Sequence, residues 1–223
     1  MKQTTSVRQR ILAVAQRRIA ERGLLALDTR TLAEEANASL SSFHREFKTQ
    51  DRLRVAVFED GWAEIDRHVT RSSFAGTDSI EHLLDILLDN ILNSYEARPD
   101  AVASAIIVGL GTIGDPSRVE LRKTEAYQRF RHHAANIAAQ LSKRLPNATP
   151  AELHEGIDAL FGAVARRLMM QAPMCRSTVD GNPEPPFDRA AFKRIILRIA
   201  SGVFPSSTAQ HATNQSTPPL LDS

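Results

Sequence analysis

The chain is poor in the residues that make covalent cross-links, sheets and membrane spans. Among its 223 residues only Cys175 is a cysteine. No intramolecular disulfide is therefore available, and a reducing cytoplasm is the expected compartment. The opening MKQTTSVRQR lacks the apolar core of a secretory leader. The longest apolar run, Ala101–Leu110, is about half of what a bilayer-spanning helix needs, so no membrane partner is expected. Sustained alternation of β-branched residues is missing, and with it the signature of strands. Spacings such as H-x-x-x-H or C-x-x-C are also missing. Adjacent His132 and His133 would point about 100° apart on a helix. Neither a metal nor another cofactor is expected, and no nucleophile–base arrangement stands out, so an enzyme is not expected.

Net charge is only +2, but it is unevenly spread. Residues 1–54 hold 11 Lys and Arg against 6 Asp and Glu, whereas residues 71–223 hold 16 of each. A basic head on a neutral body suits a polyanionic partner at the N-terminus.

What the chain has in quantity is helical spacing. Val7, Ile11, Ala15 and Ile19 form the stripe of a first helix that Gly23 closes. Asp28 reads as the N-cap of a second helix through Leu32 and Ala36, and Ser39 as the cap of a third with Phe43 and Phe47 on one face. A fourth, opening near Asp51, carries Leu53, Val57, Trp62, Ile65 and Val69. Ser72–Thr77 is a plausible boundary. Asp78-Ser-Ile-Glu81 reads as a capping box, and Pro99, Asp115-Pro116 and Thr149-Pro-Ala-Glu152 as further helix starts. Asn90 and Asn93 are expected on a helix edge. The last helix lies near Phe187–Val203, after a Gly- and Pro-rich loop at Thr178–Pro186. The tail from Pro205 is too polar to offset its ordering entropy. The expected class is all-α, with about nine helices.

The second and third helices are too short to stand alone in water. Packed on the first helix, they would leave the outer face of the third free, carrying Leu40, Ser41, Ser42, His44 and Arg45. Small residues at its N-terminal end would let it approach a major groove, with its positive end toward phosphates. Arg30 could reach the backbone or a guanine edge, and Lys48 a flanking phosphate. A three-helix corner with no such role fits the same spacing.

From Arg10 to Leu53 the sequence resembles, without a gap, the DNA-binding domain of the tetracycline-repressor (TetR) family. The match rests on Ile11-Leu12 with Ala15, Glu21-Arg-Gly23, Leu32-Ala33 with Ala36, Ser39, Phe47 and Leu53. Asn37 replaces that family's usual turn glycine, Arg18 a core leucine, and Gln50 a phosphate-binding lysine. His44 stands at a usual tyrosine and Glu46 at a frequent histidine. The resemblance implies a helix-turn-helix head at 1–50 and a helical ligand-binding and dimerisation domain at 51–204. Helix 51–71 would connect them, and 205–223 would form a disordered tail. It implies that Thr29, Ser42 and His44 touch phosphate, and that Arg30, Leu40 and Ser41 meet bases, with His44 open to a base contact as well and Ser39 capping the recognition helix.

The resemblance further implies a homodimer, bundled through the last two long helices, with Leu160, Val164, Leu168, Phe192, Ile195, Ile196 and Ile199 as candidates for the seam. It implies a small hydrophobic effector held among Trp62, Leu88, Tyr95, Tyr127, Phe130, His133, Phe161 and Met169. His133 reads either as a polar anchor or as a core histidine bonded to a backbone carbonyl. The implied function is a ligand-responsive regulator, a repressor released from a palindromic double-stranded operator by its effector. Two other readings stand beside it. Gly109-Leu-Gly-Thr-Ile-Gly114 has the G-x-G-x-x-G spacing of a nucleotide-binding enzyme, though Asp115-Pro116 restarts a helix where the glycine turn should continue one, and no acid follows about 20 residues on. The other reading is an interaction module of the same fold whose head has lost DNA affinity through Glu46 and Gln50.

Overall fold

The computed structural model describes residues 5–71, 79–111, 117–171 and 188–203. Among these the chain forms ten α-helices and one 3₁₀ turn, with no strand. The expected boundary at Ser72–Thr77, the third glycine of the Gly109–Gly114 stretch, Cys175, the expected loop at Thr178–Pro186, and the tail from Pro205 lie outside the described residues.

The head is built from local signals. Helix α1 (Val7–Arg22) opens on a reciprocal cap: Ser6 Oγ accepts from Gln9 N–H (3.2 Å), and Ser6 N–H donates to Gln9 Oε1 (3.0 Å). Gly23 closes it at φ 77°, a left-handed position where a side chain would be strained. After the 3₁₀ turn Leu24–Ala26, Asp28 caps α2 (Thr29–Glu35) by accepting from Thr31 N–H at 2.8 Å. Asn37 turns the chain at φ 50°, a conformation that Asn tolerates better than most residues. Ser39 then caps α3 (Leu40–Phe47) through Ser42 N–H at 3.1 Å. Lys48, at φ 61°, ends α3, and Thr49 Oγ1 accepts from Arg52 N–H to start α4 (Gln50–Arg71). Ile11, Ala15, Ile19, Leu32, Phe43, Phe47 and Leu53 are buried together as the core of this tripod.

The body follows: α5 (Ile80–Ala97), α6 (Pro99–Gly111), α7 (Ser117–Arg122), α8 (Glu125–Arg144), α9 (Pro150–Gln171) and α10 (Arg189–Val203). The run Ala101–Val108 is buried on every face because α6 is enclosed by α1, α4, α5 and α9. Gly61 is where α4 crosses α6: a Cβ built there would lie 2.1 Å from the Ala101 carbonyl oxygen. Helix α1 meets α6 through another small pair, Ala20 against Ala103.

Three details depart from the sequence reading. Ser79 rather than Asp78 caps α5, accepting from His82 N–H at 3.1 Å, because the residue in extended conformation is the one whose oxygen reaches the third amide. Thr124 caps a new helix at Tyr127 N–H (3.1 Å), a start the spacing did not mark, so α7 and α8 are separate. Asn90 is buried rather than at an edge. The start at Thr149–Glu152 forms as a capping box, with Thr149 N–H donating to Glu152 Oε2 at 2.7 Å and Thr149 Oγ1 accepting from Glu152 N–H at 3.3 Å.

Candidate DNA-reading face and effector layer

Several of the head's cations are structural. Arg10 Nε donates to the Ala36 carbonyl (2.9 Å) and its Nη2 to that of Asn37 (3.2 Å), clamping the turn between α2 and α3. Arg8 lies over the Phe47 ring at 4.7 Å and donates to the Glu46 carbonyl at 3.0 Å. Arg18, the residue standing at a core leucine of the family, turns outward to Glu35 and donates to it through Nε at 3.0 Å. Arg17 joins it at 3.0 Å. The hydrogen bond from Arg18 is the main cause, with its charge and Arg17 assisting, that holds the Glu35 carboxyl down to about 2. The basic excess of the head is thus partly scaffold.

The outer face of α3 is what remains. Leu40, Ser41, His44 and Arg45 are exposed, with Leu40 at 44%, while Ser42 is half-buried under its own cap. Ser39, Ser41 and Ser42 form a hydroxyl cluster at the helix start, 2.8 and 2.9 Å apart through Ser39. Arg30 and Lys48 are exposed and make no ion pair among the described residues. Arg45 lies 3.5 Å from Glu46, and His44 Nδ1 lies 3.3 Å from the Lys48 carbonyl. Gln50, found where the family resemblance led one to look for a lysine, donates to the Leu27 carbonyl at 2.7 Å and sits 3.4 Å from Thr29 Oγ1. It ties the foot of α4 to the start of α2, and Thr29 is half-buried beside it.

Four of the eight candidate effector residues meet directly or through a ring chain. The Phe130 edge abuts Trp62 at 4.8 Å, and Tyr127 and Phe161 approach Phe130 at 6.0 and 5.7 Å. Phe58 stacks on Trp62 at 6.3 Å. These rings form one layer contributed by α4, α8 and α9. His133 joins the same α4–α8 contact, but through a carboxylate rather than a backbone carbonyl: its Nε2 donates to Asp66 Oδ1 at 2.6 Å. Leu88 is buried in α5 and Met169 is half-buried against the core. Tyr95 packs against the core and also on the Ala20–Ala103 contact. A groove of about 560 Å³ between the head and the start of α8, lined by Arg8, Arg52, Glu59 and Glu125 among others, includes none of the eight.

Sequence reasoning missed the carboxylates of α4. Asp60 accepts from Arg98 (2.6 Å) and Gln16 (2.7 Å), and buried Glu64 faces Arg67 at 2.8 Å and Arg98 at 3.8 Å. Asp66 also holds Arg129 at 3.1 Å. Only the position of these acids on the apolar side of the α4 stripe hinted at burial.

Of the seven candidate seam residues, Leu160, Val164, Leu168, Phe192 and Ile196 are already covered within one chain. Ile195 and Ile199 are 55% and 41% exposed on α10. That helix is fastened to α5 by Arg189, bonded to Asp89 and Glu96, and by Lys193, bonded to Asp85 and Asp89. Burial pushes the Asp89 carboxyl up, but bonds from Arg189 and Lys193 outweigh it and leave it below the usual range.

Gly109 and Gly111 lie inside α6, so they do not form the strand-to-helix turn a dinucleotide requires.

No protein-family model matches the chain, and no curated protein sequence does. Solved structures do. The multidrug-binding protein EbrR in complex with imidazole is 21% identical, with a TM-score of 0.55 over 88% of this chain and 96% of that one. Its complex with ethidium is likewise 21% identical, with a TM-score of 0.54 over 87% and 98%. A transcriptional regulator from Rhodococcus sp. Rha1 is 18% identical, with a TM-score of 0.60 over 89% and 96%. The likeness is one of fold: the chain shares the all-α architecture of these proteins across most of its length.

Proposed function

We propose that the chain is a transcriptional regulator of the tetracycline-repressor family, cytoplasmic and homodimeric, that binds a palindromic operator through α3. A small hydrophobic effector, held in the layer of α4, α8 and α9, releases it. The observation that carries this reading is the second short helix of the head. Its inner face, Phe43 and Phe47, is fully committed to the tripod, while Leu40, Ser41, His44 and Arg45 stand clear of it with Arg30 and Lys48 alongside. Likeness in fold to regulators supports it. The exposed Ile195 and Ile199, on a helix whose other apolar stripe of Phe192, Ile196 and Ala200 is buried, support a partner copy there.

Selection of genomic fragments by the purified protein at low salt tests the reading: a palindrome should be enriched. Arg30→Ala and Ser42→Ala should each weaken binding to it about tenfold or more without unfolding the protein. Arg30→Ala should also flatten the dependence on salt. If both variants bind like the parent, α2 and α3 do not carry recognition. The alternative of a head without DNA affinity draws on Glu46, which competes for Arg45, and on Gln50, whose amide is engaged by the backbone. Enrichment of no palindrome would favour it.

A further inference from the structure

Trp62 is the chain's single tryptophan, and it is only 7% exposed at the centre of the aromatic layer. Its Nε1 is shut off from solvent and meets no hydrogen-bond acceptor among the described residues. A buried indole N–H ordinarily has a partner, because leaving it unmade forfeits the bond it had with water. The ring is not loosely held: Phe58 stacks on it at an interplanar angle of 11° and Phe130 meets it edge-on at 82°. An orphaned donor fixed in a wall of rings is therefore a feature of the site rather than of a wandering side chain.

Nearby charge narrows what would satisfy it. Asp66, one turn beyond Trp62 on α4, is already engaged by Arg129 and His133. Glu64, almost wholly buried, is engaged by Arg67 and Arg98. Neither carboxylate is left to draw a cation into the layer.

We propose that this layer recognises a neutral, planar molecule carrying a hydrogen-bond acceptor, an aromatic nitrogen or a carbonyl oxygen, that accepts the Trp62 Nε1–H. The inference rests on the reading of the body as an effector domain, and it names the effector's chemistry: an acceptor-bearing neutral ring system, in contrast to the ethidium bound by EbrR. Because Nε1 is sealed in the present arrangement, the new bond forms only once the rings of α8 or α9 have shifted from α4. The ligand thereby favours that shifted arrangement by differential affinity, which is the requirement for any effector.

A matched pair of probes tests this on the full-length protein: quinoline, which carries one ring nitrogen, and naphthalene, which has the same shape without it. At about pH 8 both are uncharged. With one tryptophan, nitrogen-15-labelled protein gives one indole N–H cross-peak, so the reporter is the proposed donor itself. Quinoline should bind roughly tenfold more tightly than naphthalene, the worth of one neutral hydrogen bond. It should also move the indole proton downfield beyond the shift that naphthalene's ring current produces. Trp62→Phe should remove the difference in affinity; if that variant fails to fold, the cross-peak comparison on the parent protein decides alone. Equal affinities with equal shifts, a cross-peak unmoved by either probe, or ethidium binding more tightly than quinoline would overturn the proposal. Operator binding measured on the same samples separates the two readings. A quinoline-specific shift in a protein that binds no operator retires the regulator and keeps the site. Operator binding with an unmoved cross-peak does the reverse.

Discussion

Replacing Gly61 by alanine sets two effects of opposite sign against each other, and the structure decides between them. In an exposed helix interior, alanine is favoured over glycine by about 1 kcal/mol. At Gly61 the added Cβ would stand 2.1 Å from the Ala101 carbonyl oxygen and 2.6 Å from the Ala105 Cβ. A close carbon–oxygen contact is about 3.3 Å, so α4 and α6 must part by roughly 1 Å. The nearest obstacle is backbone, which cannot rotate away as a side-chain tip can. Overpacking of this kind typically costs about 1–3 kcal/mol or more, which exceeds the propensity gain. Gly61→Ala should therefore lower the urea midpoint with little change in slope. The comparison that guards the inference is Gly162→Ala on α9, where a new Cβ meets nothing within 4 Å. That change should raise the midpoint by the full propensity term. If Gly61→Ala raises it as well, the close crossing of α4 and α6 is wrong.

Three further outcomes are expected. Arg10→Ala removes three charge-assisted bonds, to the carbonyls of Thr5, Ala36 and Asn37; it should cost roughly 1–2 kcal/mol and speed amide exchange in the α2–α3 turn before the rest of the chain, and uniform exchange would contradict it. Glu35 has its carboxyl lowered to about 2, chiefly by Arg18, so its contribution is fully present above the ordinary carboxyl range and disappears as pH falls through about 2. Melting temperatures of the parent and Glu35→Gln should accordingly converge between about pH 4.5 and 2; a constant gap would show that the pair does not persist in solution. Ile195→Glu with Ile199→Glu should shift sedimentation toward the monomer and weaken operator binding while leaving the helical circular dichroism intact, and an unchanged sedimentation coefficient would place the partner surface elsewhere.

Helix starts were legible at Asp28, Ser39 and Thr149, where a short side chain makes its own cap within four residues, although the equally local cap at Thr124 was not. The same locality explains the slip from Asp78 to Ser79, since neighbouring residues can both cap and only backbone conformation chooses. The outward face of α3 was readable from Phe43 and Phe47, which fix its inward face. What escaped is non-local. Asp66 meets a histidine 67 positions away and Asp60 an arginine 38 away, distances over which spacing carries no signal. Gln50 was legible as a departure from a family pattern, but its bond to Leu27 depends on how α4 leaves the tripod. Likewise, apolar stripes on α9 and α10 identified buried surfaces without saying which are buried inside one chain, and only Ile195 and Ile199 turn out to face outward.

The contacts that α6 makes with α4 and with α1 differ in kind. Against α4 it is keyed, the Ala101 carbonyl seated where Gly61 leaves no side chain. Against α1 the contact includes small side chains, Ala20 and Ala103, with Tyr95 packed beside them. Any side chain at position 61 would meet the α6 backbone, so the seat of α4 on α6 depends on the absence of one atom.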